Sequence, residues 1–265
     1  MEGRFGAILR VDLSSRKMTK EALDERLLRN YIGGRGYASK VLYDENPPNV
    51  DPLSPENRLI IATGPLTGRA APAAGRYMVV TKSPLTGYIA SSNSGGFWGA
   101  ELAKTGWFML IIEGKADGPV YINIRDDQVE IRDGSHLWGQ NTHIATDQIL
   151  EDIQDPKARV LCIGPAGEHL SPIASIMNEK NRAAGRSGVG AVMGSKNLKA
   201  IAVRGTSRPY VANSEEFSAV LKERAAKLKA HPVTSQGLPA YGTAILVNII
   251  NQTGAYPYRN WQGAY

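Results

Sequence analysis

Two short loops of this sequence combine glycine with side chains that bind anions or metals. One is Ser92-Asn93-Ser94-Gly95-Gly96 and the other is Gly185-Arg186-Ser187-Gly188. Glycine lets the main chain approach a ligand closely, and arginine offers phosphate a fixed fork of donors. A predicted short helix follows each loop, and free amides at a helix N-terminus also favour anions. The two loops therefore predict an anionic ligand laid against main chain.

An internal repeat relates these loops to each other. One copy runs from Gly99 to Gly114 and the other from Gly190 to Gly205, with a predicted helix and strand at the same internal spacing. Each copy also lies downstream of a strand that ends in Gly-Pro, at 64–65 and 164–165. The repeat predicts two half-domains related by a pseudo-twofold axis, which suits a ligand with two similar anionic halves. A structural duplication that binds no ligand is the alternative.

Two familiar nucleotide-binding loops do not account for the second copy. A phosphate-binding P-loop requires G-x-x-x-x-G-K-[ST], whereas residues 190–194 have a shorter glycine spacing and Ser195 precedes Lys196. The dinucleotide fingerprint requires G-x-G-x-x-G after a strand, and Met193 stands where the third glycine belongs.

The elements that must position these loops change character along the chain. Short β segments dominate residues 1–210, whereas residues 211–265 contain helix and turn patterns only. Residues 213–230 form an amphipathic pattern, with Asn213 and Glu216 at capping-box spacing. We therefore expect an α+β protein with a β-rich domain over 1–210 and the beginning of a helical domain over 211–265.

Composition excludes several classes of function. No apolar run reaches the roughly 18–20 residues that span a bilayer, and the N-terminus lacks a signal-peptide pattern. The net charge of +6 is spread without a dense basic stripe. The single cysteine, Cys162, lies in an apolar strand pattern and is expected to be buried. The sequence predicts a cytoplasmic protein with neither a membrane nor a nucleic acid as partner.

Several long motifs resemble the N-terminal domain of the tungsten-containing aldehyde ferredoxin oxidoreductases. The resemblance covers nearly the whole chain and includes Leu238-Pro239-Ala240-Tyr241-Gly242-Thr243-Ala244 in the tail. The other motifs are Gly64-Pro65-Leu66-Thr67-Gly68, Gly75-Arg76-Tyr77, Thr81-Lys82-Ser83-Pro84-Leu85-Thr86-Gly87, Asn93-Ser94-Gly95-Gly96, Ile176-Met177-Asn178, Asn181-Arg182-Ala183-Ala184-Gly185-Arg186 and Gly188-Val189-Gly190-Ala191-Val192-Met193-Gly194-Ser195-Lys196.

This resemblance implies a specific fold and cofactor. It implies a duplicated N-terminal domain of two sheets, which carries tungsten held by the dithiolenes of two pterins (tungstopterin). A magnesium ion bridges the pterin phosphates, and main-chain carbonyls at Asn93 and Ala183 would ligate it. The positions that would contact the pterins are Arg76, Asn93, Gly95, Arg182, Ala183, Gly185 and Arg186.

The resemblance also implies the reaction and the partners. The parent enzyme would oxidise an aldehyde to a carboxylic acid and pass electrons through a [4Fe–4S] cluster to ferredoxin. The four cluster cysteines and the acid–base residues belong to later domains of the family, so no catalytic residue is assigned here. Either a longer parent protein or another subunit would supply them, and an isolated chain of this kind is expected to be inactive and to form homo-oligomers. A non-catalytic cofactor-binding or scaffold subunit and a sibling oxidoreductase with another substrate are the alternatives.

Overall fold

The computed structural model describes residues 6–263, and the chain divides into two compact units, with the boundary between Tyr210 and Val211. Among the described residues, no helix is both long enough and apolar enough to cross a membrane.

The first unit consists of two halves with the same order of strands and with different helices between some of them. The first half contains β1 (Ala7–Asp12), β2 (Lys17–Glu21), α1 (Glu25–Tyr31), α2 (Gly34–Glu45), β3 (Leu59–Ala62), β4 (Tyr77–Lys82), β5 (Ile89–Ser94), α3 (Trp98–Lys104) and β6 (Trp107–Glu113). The second half contains β7 (Val120–Arg125), β8 (Gln128–Asp133), α4 (Thr142–Asp152), β9 (Arg159–Cys162), α5 (Pro165–Glu168), β10 (Ile176–Asn178), β11 (Arg182–Ala184), α6 (Val189–Ser195) and β12 (Leu198–Arg204), with a 3-10 turn at Ser135–Leu137.

Each half forms one six-stranded mixed sheet. The strand order is β2-β1-β6-β3-β4-β5 in the first sheet and β8-β7-β12-β9-β10-β11 in the second. β1 pairs parallel with β6, β7 pairs parallel with β12, and the other neighbouring strands are antiparallel. Every strand of one sheet thus has a counterpart at the same place in the other, which confirms the predicted duplication and the two-sheet fold.

Even an irregularity of the backbone is duplicated. Ala7 and Ile8 of β1 pair with Trp107 and Met109 of β6, so the pairing skips one residue of β6. In the same way, Val120 and Tyr121 of β7 pair with Leu198 and Ala200 of β12. The residue left over is Phe108 in one sheet and Lys199 in the other, each the second residue of its strand. Such bulges bend a strand locally, so the two halves share their local geometry as well as their topology.

The core lies between the two sheets and on their outer faces. Side chains alternate along each strand, so that Leu9 and Val11 join the cluster between the sheets while Ile8 joins the outer cluster under α2. A third cluster on the outer face of the second sheet contains Ile149 of α4 and Cys162, and the predicted burial of Cys162 is confirmed. Burying each large aliphatic side chain contributes roughly 1.5–3 kcal/mol, so the three clusters stabilise both faces of each sheet.

The second unit is helical throughout its regular elements. These are α7 (Ser214–Ala230), a π-helical segment (Val233–Gly237), α8 (Leu238–Tyr241), a 3-10 turn (Gly242–Leu246), α9 (Val247–Gln252) and a second 3-10 turn (Tyr258–Trp261). The predicted cap of α7 is confirmed, because the Asn213 side chain accepts a hydrogen bond from Glu216 N at 3.0 Å. None of its residues is buried, and Val220 is 44% exposed.

Candidate functional site

The seven predicted ligand-binding residues lie beside two edge strands. β5 and β11 each end their sheet, and they lie against each other. Asn93 pairs with Met78 across the β4–β5 hairpin, and Ala183 pairs with Met177 across the β10–β11 hairpin. Asn93 and Ala183 are therefore equivalent positions, each one residue before the end of its strand. The structure brings the predicted residues of the two halves to one junction.

In the first half, an amide side chain orients an arginine. The Arg76 guanidinium donates a hydrogen bond to Asn93 Oδ1, while Asn93 Nδ2 donates to the Tyr77 carbonyl oxygen at 3.2 Å. Arg76 is exposed, so its remaining donors face solvent. An Arg held by one neutral partner keeps its full charge available for an anion.

The glycines of this loop have different roles. A Cβ added at Gly95 would have no heavy atom within 4 Å, so the main chain there borders open space. Gly96 has φ +86°, and a Cβ there would come within 2.2 Å of Glu179 Oε2. Gly96 is therefore required by the backbone and its neighbour, whereas Gly95 leaves room beside the main chain for a ligand.

In the second half, the predicted residues are exposed. Arg182, Ala183, Gly185 and Arg186 all face solvent. Across residues 6–263, neither the Arg182 nor the Arg186 guanidinium has a hydrogen-bonding or ion-pairing partner in the protein. Two arginines without protein partners beside an exposed main-chain segment suit a phosphate-bearing ligand.

The turn before Arg182 is conformationally strained. Glu179 and Lys180 have φ of +52° and +64°, a region that costs side-chain-bearing residues free energy. Lys180 Nζ pairs with both carboxylate oxygens of Asp147 at 2.6 and 2.7 Å, and Glu179 Oε1 accepts from Phe97 N at 2.6 Å. Contacts on two sides therefore hold this turn in its unusual conformation.

Polar side chains tie each loop to the opposite half. Asn178 Nδ2 donates to the Gly95 carbonyl at 3.0 Å, and Arg186 N donates to Ser92 Oγ at 3.1 Å. Ser83 Oγ also donates to the Ser187 carbonyl at 2.9 Å. Ser92 and Asn178 lie in motifs that the sequence analysis singled out, but their contacts and that of Glu179 were not predicted, because the partners lie more than 80 residues away along the chain.

The expectation that helix amides bind the ligand is wrong for two of them. Phe97 N precedes α3 and donates to Glu179, and Gly190 N in the first turn of α6 donates to the Ala174 carbonyl at 2.9 Å. Both amides are occupied by protein acceptors. The predicted groups that stay exposed at this junction are the guanidinium groups of Arg76, Arg182 and Arg186 and the main chain at Gly185, and the main chain at Gly95 borders open space.

In the described part of the chain, no group of three or more His, Cys, Asp or Glu residues is arranged to hold a metal ion. Burial raises the pKa of the Cys162 thiol, which keeps it protonated and unreactive.

Two family models match the chain. The model for the aldehyde ferredoxin oxidoreductase N-terminal domain matches residues 8–205, and the model for domains 2 and 3 of aldehyde ferredoxin oxidoreductase matches residues 219–265.

Relatives with similar sequences have the same designation. The tungsten-containing aldehyde ferredoxin oxidoreductase of Pyrococcus furiosus is 53% identical over 266 residues, which cover 100% of this chain and 44% of that protein. The enzyme of the same name from Pyrococcus horikoshii is 54% identical over 262 residues, which cover 99% of this chain and 43% of that protein. This chain therefore spans less than half the length of these relatives.

A solved structure shares the fold. A chain of the active-site complex of benzoyl coenzyme A reductase, determined with 1,5-dienoyl-CoA, superimposes with a TM-score of 0.84 at 42% identity. The match covers 86% of this chain and 35% of that chain.

Proposed function

Because this chain belongs to the aldehyde ferredoxin oxidoreductase family, we propose that it forms the cofactor-binding part of a tungsten-dependent enzyme that oxidises an aldehyde to its carboxylic acid. The observation that carries this proposal is the junction of β5 and β11, where both halves present their exposed arginines and main chain. Residues 1–210 would be the cofactor domain, and residues 211–265 would begin a helical domain.

The residues of the junction fit a bis-pterin tungsten cofactor. Such a cofactor has two similar phosphate-bearing halves, and the two sheets present two equivalent strand ends. Arg76, Arg182 and Arg186 would bind phosphate and polar pterin edges, while the open space beside Gly95 would let a flat ring lie along the main chain. Gly185 would serve the other half in the same way.

The same strand ends suit a magnesium ion. Magnesium prefers hard oxygen ligands and keeps bound waters and phosphate oxygens, so it requires few protein ligands. The equivalence of Asn93 and Ala183 supports a pair of main-chain carbonyls around the axis between the halves. These two carbonyls would hold the ion, which would neutralise phosphate charge of the cofactor.

The cofactor, when bound, would supply the two-electron oxidation chemistry. The residues of this chain would bind it, orient it through the two hairpins and exclude water from the side that faces the sheets. A [4Fe–4S] cluster, further pterin contacts and acid–base groups would come from domains 2 and 3 of the full-length parent. Ferredoxin would accept the electrons. The exposed Val220 and Tyr241 support the second unit as the opening of that region.

A sibling oxidoreductase with another substrate is the second candidate. The likeness to a benzoyl coenzyme A reductase chain favours it, because the same fold at 42% identity occurs in a protein named for a different substrate. In both candidate functions this chain would bind the cofactor in the same way. They differ in substrate, which turnover assays of the full-length parent with aldehydes and with aromatic thioesters would distinguish.

The test of the proposed function is elemental and pterin analysis of the purified chain. We expect tungsten together with pterin in wild type and a loss of at least about tenfold in an Arg76→Ala/Arg182→Ala variant, since hydrogen bonds to charged groups contribute about 1.5–3 kcal/mol each. An Arg26→Ala/Arg29→Ala variant removes the same charge from α1 and should retain the cofactor. Cofactor that persists in the first variant, or that falls equally in both, would contradict the proposal.

A further inference from the structure

Asn178 lies at the contact between the two halves. It is the last residue of β10, and it is 1% exposed, as are Tyr77 and Ser94. Its Oδ1 accepts hydrogen bonds from Tyr77 Oη at 2.9 Å and from Ser94 Oγ at 2.6 Å. Its Nδ2 donates to the carbonyl oxygen of Gly95 at 3.0 Å. Every one of these partners belongs to the first half, although Asn178 belongs to the second.

The duplication shows that Asn178 is not a requirement of the fold. Met177 pairs with Ala183 as Met78 pairs with Asn93, so the residue equivalent to Asn178 in the first half is Val79. Val79 is fully buried and packs in the core between the sheets. A buried amide costs free energy unless its donors and acceptors are bonded. The same backbone position therefore accepts an apolar side chain, and the amide at 178 needs another explanation.

The contacts of Asn178 converge on one segment, Gly95–Phe97. Asn178 holds the Gly95 carbonyl, and the neighbouring Glu179 accepts from Phe97 N at 2.6 Å. Gly96 between them has φ +86°, which glycine adopts readily, so the two contacts hold a flexible segment at both of its ends. The second half therefore determines where the loop of the first half lies.

We infer that Asn178 is a positioning residue for the cofactor, acting through the Gly95 carbonyl. This inference rests on the proposed function, because Gly95 lines the proposed pterin site. By fixing the Gly95–Phe97 segment from the second half, Asn178 makes the first loop ready to bind before the cofactor arrives. Preorganised loops bind more tightly because less ordering is required on binding.

The test compares two substitutions within the same buried cluster. Asn178→Asp keeps the size and the oxygen that accepts from Tyr77 and Ser94, but its ionised carboxylate has no donor for the Gly95 carbonyl. Ser94→Ala removes a different bond of the cluster and leaves the Nδ2–Gly95 bond in place. If Asn178→Asp does not fold, as judged by thermal melting, Asn178→Ser serves instead, since it is neutral and too short to reach Gly95.

The first readout is amide hydrogen exchange of the chain without cofactor. We expect exchange at Gly95–Phe97 to accelerate at least about tenfold in the Asn178 variant, which corresponds to about 1.4 kcal/mol, and to stay within about twofold of wild type in Ser94→Ala. Unchanged exchange in the Asn178 variant, or equal acceleration in both variants, would overturn the inference without bearing on the proposed function.

The second readout is pterin bound per chain. We expect a loss of about tenfold in the Asn178 variant and retention in Ser94→Ala. Full retention in the Asn178 variant, with wild type loaded, would overturn the positioning role alone. Absence of pterin from wild type and from the full-length parent would overturn the proposed function and, with it, the role of Asn178 towards the cofactor, whatever the exchange result.

Discussion

The two halves of the first unit have the same backbone plan but different chemistry at equivalent positions. Arg182 of the second half stands where the first half has Ser92, and Arg186 stands where it has Gly96. Conversely, Arg76 precedes β4, where the second half has Ser175 before β10. The second half therefore presents two arginines and the first half presents one. The two strand ends are equivalent in backbone, and the arginines that would bind the proposed cofactor are distributed unequally between them.

The buried interior differs between the halves as well. Phe108 and Lys199 occupy the same bulge position, and Thr105 and Lys196 occupy the same position before the last strand. Phe108 packs edge-on against Tyr37 of α2 with ring centroids 6.3 Å apart. Both lysines are fully buried. The second half thus contains charged groups where the first half uses an apolar or a small polar residue.

The largest expected effect comes from separating the buried Lys199–Glu168 pair. Glu168 is 2% exposed at its side chain; its Oε2 accepts from Gly139 N at 2.8 Å, and Lys199 Nζ also donates to the Gln140 carbonyl at 2.8 Å. Glu168→Gln should cost about 3–5 kcal/mol, because it leaves an uncompensated buried charge. Urea unfolding followed by circular dichroism measures the change.

The matched changes sharpen the contrast between halves. A Lys199→Met/Glu168→Leu double variant should recover most of the loss, because it removes both charges together. Phe108→Leu at the equivalent bulge should cost no more than about 1.5 kcal/mol. If Glu168→Gln is as stable as wild type, the ion pair between Lys199 and Glu168 does not stabilise the folded chain.

The next effect concerns the unequal arginines. Arg182→Ala/Arg186→Ala should weaken cofactor retention by about 3 kcal/mol or more, whereas Arg76→Ala should weaken it by about 1.5 kcal/mol, since each lost charge-assisted bond contributes about 1.5–3 kcal/mol. Pterin and tungsten contents after gel filtration at increasing salt give the ranking. Equal losses from the two halves would show that the asymmetry of charge does not matter for binding.

The sequence predicted the part of the duplication that has a periodic signature. The spacing between Gly99 and Gly114 recurs between Gly190 and Gly205, and these segments are α3 with β6 and α6 with β12. The equivalence of the β1–β2 and β7–β8 hairpins was not apparent, because their residue types differ and only strand order reveals it. Local spacing therefore indicated the repeat, and topology was needed to complete it.

The candidate site was predictable to a smaller extent. Motif resemblance selected the seven residues, and the structure brings them to one junction. The role of Asn178 was not predicted, because it depends on a contact with Gly95, which is distant from Asn178 in the sequence. Lys199 lies in an apolar strand pattern. That pattern alone does not show whether its ammonium group is buried in an ion pair or exposed to solvent. Long-range contacts decide both cases.

A smaller effect depends on pH through Lys196. Desolvation by burial lowers the pKa of Lys196 to about 8, although Glu113 and Glu56 act to raise it, and its Nζ donates to the carbonyls of Pro55 and Gly114 at 3.0 and 3.1 Å. Because this pKa is lower in the folded than in the unfolded chain, the unfolded chain binds more protons above pH 8. Stability from this group should therefore rise by about 1.5 kcal/mol between pH 8 and 9.5.

The control for this prediction replaces Lys196 with an apolar side chain. Lys196→Met should lose that rise, so the urea midpoint of wild type minus that of the variant should increase as the pH increases. No equivalent group is present at Thr105 in the first half. A constant difference from pH 8 to 9.5 would mean that Lys196 keeps its ordinary pKa in the folded chain.

The smallest expected effect on stability comes from alanine substitutions at Gly95 and Gly185. Comparison with Gly96→Ala separates glycines that leave open space from one that the backbone conformation requires. A Cβ at Gly95 meets nothing within 4 Å and one at Gly185 meets only ordinary contacts, the nearest at 3.7 Å. Gly95→Ala and Gly185→Ala should therefore change the free energy of unfolding by no more than about 0.5 kcal/mol. Gly96→Ala should cost at least about 1 kcal/mol, because it adds a Cβ at φ +86° against Glu179. If Gly95→Ala keeps its stability and yet loses pterin, the open space beside Gly95 belongs to the cofactor; if it keeps both, the ring lies elsewhere along the junction.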